Sequence, residues 1–266
     1  MPLWAYNLNP VILGILMVGG ILLVSLAGLF LCRRYILPHL EFHDGVNDAA
    51  SGTVQAIGVF YGVTVGLISV GVWNTWSGGA DLVSREAAAI GSLYRDCSSF
   101  PEPQRTELCL KLLAYTKGII TLDWPAQRKG EVPQAGAAPL NDLQQSLMAF
   151  EPKTPGQQAR YAETLAAYNR LLTQRNLRID AVSGGLSGIM WGVIWCGAAI
   201  SIGVAYFFHL NDPKLHAILV TLIAGFLSIV LFMIVINDKP FYGEVCINPD
   251  SYQVVLDTIM NGTVTK

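Results

Sequence analysis

The chain has 266 residues, 52% of them hydrophobic and 14% charged, with a mean hydropathy of +0.44. Soluble domains carry about 25% charge, so this balance argues against a soluble globule and for a membrane. A net charge of -2 argues against a nucleic-acid partner, which needs a basic field, and five cysteines without a CxxC pair make neither a zinc signature nor a disulfide scaffold.

Four long segments contain no Lys, Arg, Asp or Glu: Val11 to Cys32, Ala49 to Ala80, Ala181 to Leu210, and Leu215 to Asn237. A helix crosses a bilayer with about 20 apolar residues. The predicted fold class is therefore all-α, a polytopic membrane protein with four transmembrane helices. The boundaries read as 1–80 for helices one and two, 81–180 for a helical extramembrane insert, 181–240 for helices three and four, and 241–266 for a tail. The first apolar run is too long for a signal peptide, and no Lys or Arg precedes it.

After the first segment, His39 and His43 stand four apart beside Glu41 and Asp44, a spacing that can hold a metal on a helix. Pro38 and the shortness of the connection favour a polar hinge at the membrane surface instead, so no metal or other cofactor is expected. Asn47 and Asp48 come next, placed either to cap the second helix or to form a polar ring at the mouth of a pore.

Within the second segment, Ser51, Gln55, Gly58, Gly62, Gly66 and Ser69 share one helical face at 100° per residue, with Ile57, Phe60, Val65 and Ile68 on the other side. Each Gly costs roughly 1 kcal/mol against Ala inside a helix, so the stripe needs an offsetting use. Two uses stay open. Small residues let helices approach closely in lipid, or the face lines a pore at an oligomer axis, which would spare Gln55 the cost of an amide in lipid. The third segment repeats the device with Gly184, Gly188, Gly192 and Cys196, read as helix-packing positions, and the fourth has Ala217, Thr221 and Gly225.

The insert between them holds most of the charge. Pro101 to Asp123 reads as a helix burying Leu108, Leu112, Tyr115 and Ile119, ended at Asp123-Trp124-Pro125 because a residue before Pro resists the helical region. Lys129 to Pro139 reads as a loop, and Asn141 or Asp142 as the cap of a short helix to Phe150. Gln157 to Arg178 has Tyr161, Leu165, Tyr168 and Leu172 at helical spacing, and Arg85 and Glu86 are expected on a solvated or interhelical face. Cys97 and Cys109 flank a turn, Ser98 to Glu102, that can bring them to disulfide distance if the insert lies outside the cytoplasm.

The run GVTVGLISVGVWNTW, Gly62 to Trp76, followed by amphipathic Asp81 to Tyr94, resembles the second helix of bestrophins. Asp238-Lys239-Pro240-Phe241-Tyr242-Gly243-Glu244 is similar to the bestrophin Pro-Phe-Gly-acid stretch, with Tyr242 inserted between Phe and Gly. With Arg33-Arg34, Asn47-Asp48, Glu86-Ala87 and Asp123-Trp124-Pro125, the whole chain is identified as similar to a bacterial bestrophin-like membrane family. The resemblance implies a pentameric anion channel in the bacterial inner membrane, with the second helix lining the pore. Cys246 to Pro249 carries no acid, so the calcium-binding acidic run of bestrophins is missing and calcium gating does not carry over.

None of the four segments holds an intramembrane carboxylate, Lys or Arg, which pumps and proton-coupled transporters need. No phosphate loop, nucleophile elbow or carboxylate pair supports an enzyme. Two functions remain: a homo-oligomeric ion channel with bilayer, ions and its own copies as partners, or a non-conducting scaffold or sensor whose insert binds another partner. Orientation is left open. Arg33 and Arg34 place the insert outside by the positive-inside rule, whereas Arg170, Arg175, Arg178 and the bestrophin resemblance place it in the cytoplasm.

Overall fold

The computed structural model describes residues 6–39, 46–133, 136–208, 210 and 212–260, and every regular element among them is helical. Helix α1, Pro10–Leu31, is capped by Asn9, whose side chain accepts the Val11 N–H at 2.9 Å; Pro10 sits where a missing N–H costs nothing. It runs into a π turn, Cys32–Ile36. Helix α2, Val46–Cys97, is continuous over 52 residues, far more than the roughly 20 that cross a bilayer. Helices α3 (Gln104–Gly118), α4 (Trp124–Arg128), α5 (Ala137–Met148) and α6 (Pro155–Val182) build the insert. Helices α7 (Gly188–Ala205) and α8 (Pro213–Asn237) follow, and α9, Asp250–Val255, closes the order before a final π turn. Four of these helices are long and apolar enough to cross a membrane, as the sequence predicts.

The chain divides into two compact units, Met1–Asn74 with Gly185–Asp238 and Thr75–Gly184 with Lys239–Lys266. In the first, aromatic rings settle onto glycines. Gly14 lies under the Phe232 ring and Gly28 under Tyr206, where a Cβ would come within 3.0 Å and 2.7 Å of ring and hydroxyl atoms. The Tyr206 hydroxyl then donates to the Ser25 carbonyl at 2.9 Å. Gly197 lies against the Tyr61 ring, and the Tyr61 hydroxyl donates to the Ile194 carbonyl at 2.9 Å, which pins α2 to α7. His216 is buried beside the Ala205 carbonyl (3.0 Å), with its other ring nitrogen 3.2 Å from the Arg33 guanidinium.

The third span is shorter than expected. It starts at Gly188, not Ala181, because α6 runs on to Val182 and residues 183–187 are non-helical, with Gly185 at φ 147°. The Asp238 carboxylate takes up the freed Leu186 N–H at 2.6 Å and the Tyr6 hydroxyl at 2.9 Å. Ser187 caps α7 by accepting the Met190 N–H.

In the second unit Leu108, Leu112, Tyr115 and Ile119 are fully buried, as their spacing predicts. Pro125, however, does not end this helix. A π turn at Ile119–Asp123, with the Trp124 N–H bonded five residues back to Ile119, widens the ladder so that α4 continues through Pro125. Helix α5 begins at Ala137, so Asn141 and Asp142 lie inside it and the preceding loop is shorter than expected. On α6 the buried residues are Thr164, Ala167, Tyr168, Leu171 and Arg178, while Tyr161, Leu165 and Leu172 are only half-buried.

The stretch after α8 folds onto this core. Phe241 meets Trp124 edge to face at 6.2 Å, and the Trp124 indole N–H donates to the Ile247 carbonyl at 3.0 Å. Gly130, at φ +82°, fits against Tyr242; a side chain there would be strained in backbone and meet the ring at 2.8 Å. Cys97 is buried, Cys109 half-buried, and both are free thiols.

Candidate functional site

Two places in the chain combine chemistry with an unusual environment: one face of α2 in the first unit, and a buried charge cluster in the second. On α2 the face turned toward the unit's own helices is Tyr61, Val65 and Val72, each under 8% exposed. The small-residue stripe is centred about 80° around the helix from it. Gln55 is exposed, and Cβ atoms built on Gly58, Gly62 and Gly66 meet nothing within 4 Å. Ser69 differs. It is half-buried, donates to the Val65 carbonyl at 2.7 Å, and borders a recess of about 210 Å³ with Trp73, Met233 and Asn237.

The residues expected opposite the stripe do not form one surface, since Val65 is buried while Phe60 is 75% exposed. Asn47 and Asp48 lie in the first turn of α2, with side chains outside the described residues, as is His43. Within the chain, the glycines expected to pack α7 do not. Gly184 is off the helix, and a Cβ on Gly188 or Gly192 would meet nothing within 4 Å among the described residues. The buried side of α7 follows Trp191, Ile194, Ala198, Ile202 and Ala205, which makes Gly197 its contact glycine. Among the described residues no group of three His, Cys, Asp or Glu gathers where a metal could sit.

In the second unit Glu86 from α2 and Arg178 from α6 form an ion pair with no solvent exposure, Nε to Oε2 at 2.5 Å and a second guanidinium nitrogen to Oε1 at 3.3 Å. The Tyr115 and Tyr252 hydroxyls donate to the same carboxylate at 2.7 Å and 3.0 Å. Arg178 also donates to Gln127 Oε1 at 3.0 Å and lies over the Trp124 ring at 5.7 Å. Every contact of Glu86 is a donor, and the guanidinium fork is matched to it bidentately. A buried pair of this kind persists only when its remaining valences are filled.

Asp123, the last residue of the π turn, is the exception. Its carboxyl is 1% exposed, its Oδ2 lies 3.9 Å from Arg178, and apart from the Gly136 amide facing it neither oxygen has a hydrogen-bond partner among the described residues. Burial pushes its pKa up from the ordinary carboxylate range, and the positive charges of Arg178 and Arg175 and the Gly136 amide offset this only in part. Tyr115 and Tyr252 are driven well above the usual tyrosine value by burial and then by Glu86. Burial would lower Arg178, but the Glu86 carboxylate outweighs it and raises the pKa.

Glu86 and Asp123 are in the stretches that carry the resemblance, yet their joint role around Arg178 was not evident from sequence. One signal was present. Glu86 falls in the register Val83, Ala87, Ile90, and Arg178 lies seven residues beyond Leu171, so each charge stands on an otherwise apolar face. Arg85, its neighbour, is 63% exposed and pairs with Asp81.

A sequence profile described as a bestrophin-like domain matches residues 19–252. Among curated proteins none matches the chain. The crystal structure of a membrane protein has the same fold, with a TM-score of 0.65 at 10% sequence identity over 94% of this chain and 98% of that one.

Proposed function

The chain belongs to the bestrophin-like family, and from that premise we propose that it is a homo-oligomeric ion channel whose second helix lines the pore. The observation that carries this reading is the bare stripe Gln55, Gly58, Gly62 and Gly66. Among the described residues nothing meets a Cβ at these glycines and Gln55 is exposed, although the adjacent face of the same helix is firmly packed. Copies arranged about an axis would give the stripe a use. Glycines there leave room for ions and present backbone, and Gln55 offers an amide donor to an anion or a carbonyl to a cation. Five subunits, anion conduction and a place in the bacterial inner membrane follow from the resemblance to bestrophins.

Purified protein in planar bilayers should pass current, with Gln55→Glu shifting selectivity toward cations and Gly62→Trp blocking conduction without dissociating the oligomer. Electrical silence across voltage, pH and calcium would favour the second reading, a non-conducting scaffold or sensor. That reading draws on the exposed apolar side chains of the insert, Leu110, Leu122 and Met148, each above 55% exposed and available to a partner.

A further inference from the structure

A groove lies on the first unit where residues of α1, α7 and α8 meet, with a volume of about 350 Å³. That is within the roughly 300–1,000 Å³ of ordinary ligand pockets. Ser25, Ala198, Ile202 and Leu231 form its buried floor. A Cβ on Gly20 would meet nothing within 4 Å, so the missing side chain helps to make the space. Two lining residues carry hydroxyls, and both hydroxyl protons are spent inside the protein. Ser25 donates to the Ile21 carbonyl at 2.7 Å and Tyr206 to the Ser25 carbonyl at 2.9 Å. A polar ligand would find no free hydroxyl donor there, whereas a hydrocarbon chain needs none.

Beyond Tyr206 the same helices reach charge. The adjacent Ala205 carbonyl meets His216 at 3.0 Å, and the other ring nitrogen of His216 is 3.2 Å from the Arg33 guanidinium. Arg34 is exposed, its guanidinium 5.9 Å from the Tyr35 ring. Among the described residues, the Lys, Arg, Asp and Glu side chains at this end of the spans are Arg33, Arg34, Lys214 and Asp212, a positive balance. Eight residues separate Ser25 from Arg33, about 12 Å along a helix. One leaflet of the hydrocarbon core is about 15 Å deep, so a lipid chain entering beside Arg33 reaches the groove with its deeper half.

We propose that the groove holds one acyl chain of an anionic phospholipid whose phosphate is drawn to Arg33 and Arg34. The apolar lining selects the chain, and the basic end selects the headgroup over a zwitterionic one. Tyr35, 61% exposed, stands at the level where aromatic rings meet headgroups. The inference rests on the spans crossing a bilayer and is independent of conduction.

The test uses the full chain in phosphatidylcholine nanodiscs carrying a small fraction of photoreactive lipid, with a diazirine in the acyl chain and either a phosphatidylglycerol or a phosphatidylcholine headgroup. Labelled residues are mapped by mass spectrometry. Phosphatidylglycerol should label residues 20–25 and 195–206 more than phosphatidylcholine does, by about fivefold for each arginine engaged. Arg34→Gln should reduce this preference, and Arg33→Gln together with Arg34→Gln should abolish it. Gly20→Phe and Ala199→Phe, which fill the groove from two helices, should each lower labelling at both stretches. The headgroup comparison decides the matter even where a filled variant folds poorly. Equal labelling by the two headgroups in the wild type would overturn the proposal, as would a preference retained without both arginines. Absence of label at both stretches would overturn it too, and would assign the groove to a second copy of the chain.

Discussion

The first unit solves its packing with glycine and aromatic rings and leaves one face of α2 bare; the second closes a core around charge. In the first, Gly14, Gly28 and Gly197 each receive a ring that a Cβ would displace, whereas Gly58, Gly62 and Gly66 receive nothing. In the second, a Glu–Arg pair and two tyrosines are sealed without solvent exposure and nearly every valence is filled. The difference teaches where each unit is sensitive. A buried charge makes its own unit fragile, while a bare small-residue face matters only to what lies outside the chain.

The largest effect should come from Arg178→Met, which strands Glu86 in the core. Breaking a buried pair costs about 3–5 kcal/mol, so hydrogen exchange should show the second unit opening while α1 and α8 stay protected. Next is Gly197→Leu, which forces the Tyr61 ring away from α7. Overpacking costs about 1–3 kcal/mol, seen as a lower melting temperature in detergent. Its counterpart sharpens the comparison: Gly62→Leu should leave both the melting temperature and the oligomer peak in size-exclusion chromatography unchanged, because a Cβ at Gly62 meets nothing within 4 Å among the described residues. Trp124→Phe should cost about 1–3 kcal/mol by leaving the buried Ile247 carbonyl without its donor. Arg85→Ala should stay within about 0.5 kcal/mol by thermal melting, because its pair with Asp81 is solvent-screened.

Much of the fold was legible because hydropathy and helical period are local signals. The four spans, the buried series Leu108 to Ile119 and the turn after Cys97 all follow from them. The misreadings arose where a contact overrode the local rule. Pro125 stays helical because the preceding π turn makes room for it. Of the expected α6 series only Tyr168 is fully buried; the buried face also takes in Thr164, Ala167, Leu171 and Arg178, the last turned inward to Glu86 and Gln127 against its own hydropathy. The α7 stripe shows a further limit: four-residue glycine spacing marks a face that can be approached, but which face is approached within the chain depends on where the rings of neighbouring helices fall. Tyr61 chose Gly197. Glu86 and Arg178 lie 92 positions apart in the chain, and no local pattern joins them.

Cysteine accessibility along α2 tests the central claim most directly. Gly58→Cys, Gly62→Cys and Gly66→Cys, each alone, would be treated in membranes with a charged, water-soluble thiol reagent, beside Phe60→Cys and Leu67→Cys, whose positions are also exposed in the single chain, and with the unsubstituted chain as background for its five native cysteines. If the stripe faces a water-filled axis, the three glycine positions react and Phe60→Cys and Leu67→Cys, in lipid or protein, do not. Reaction at neither set, or at the bulky positions alone, would contradict a pore on this face.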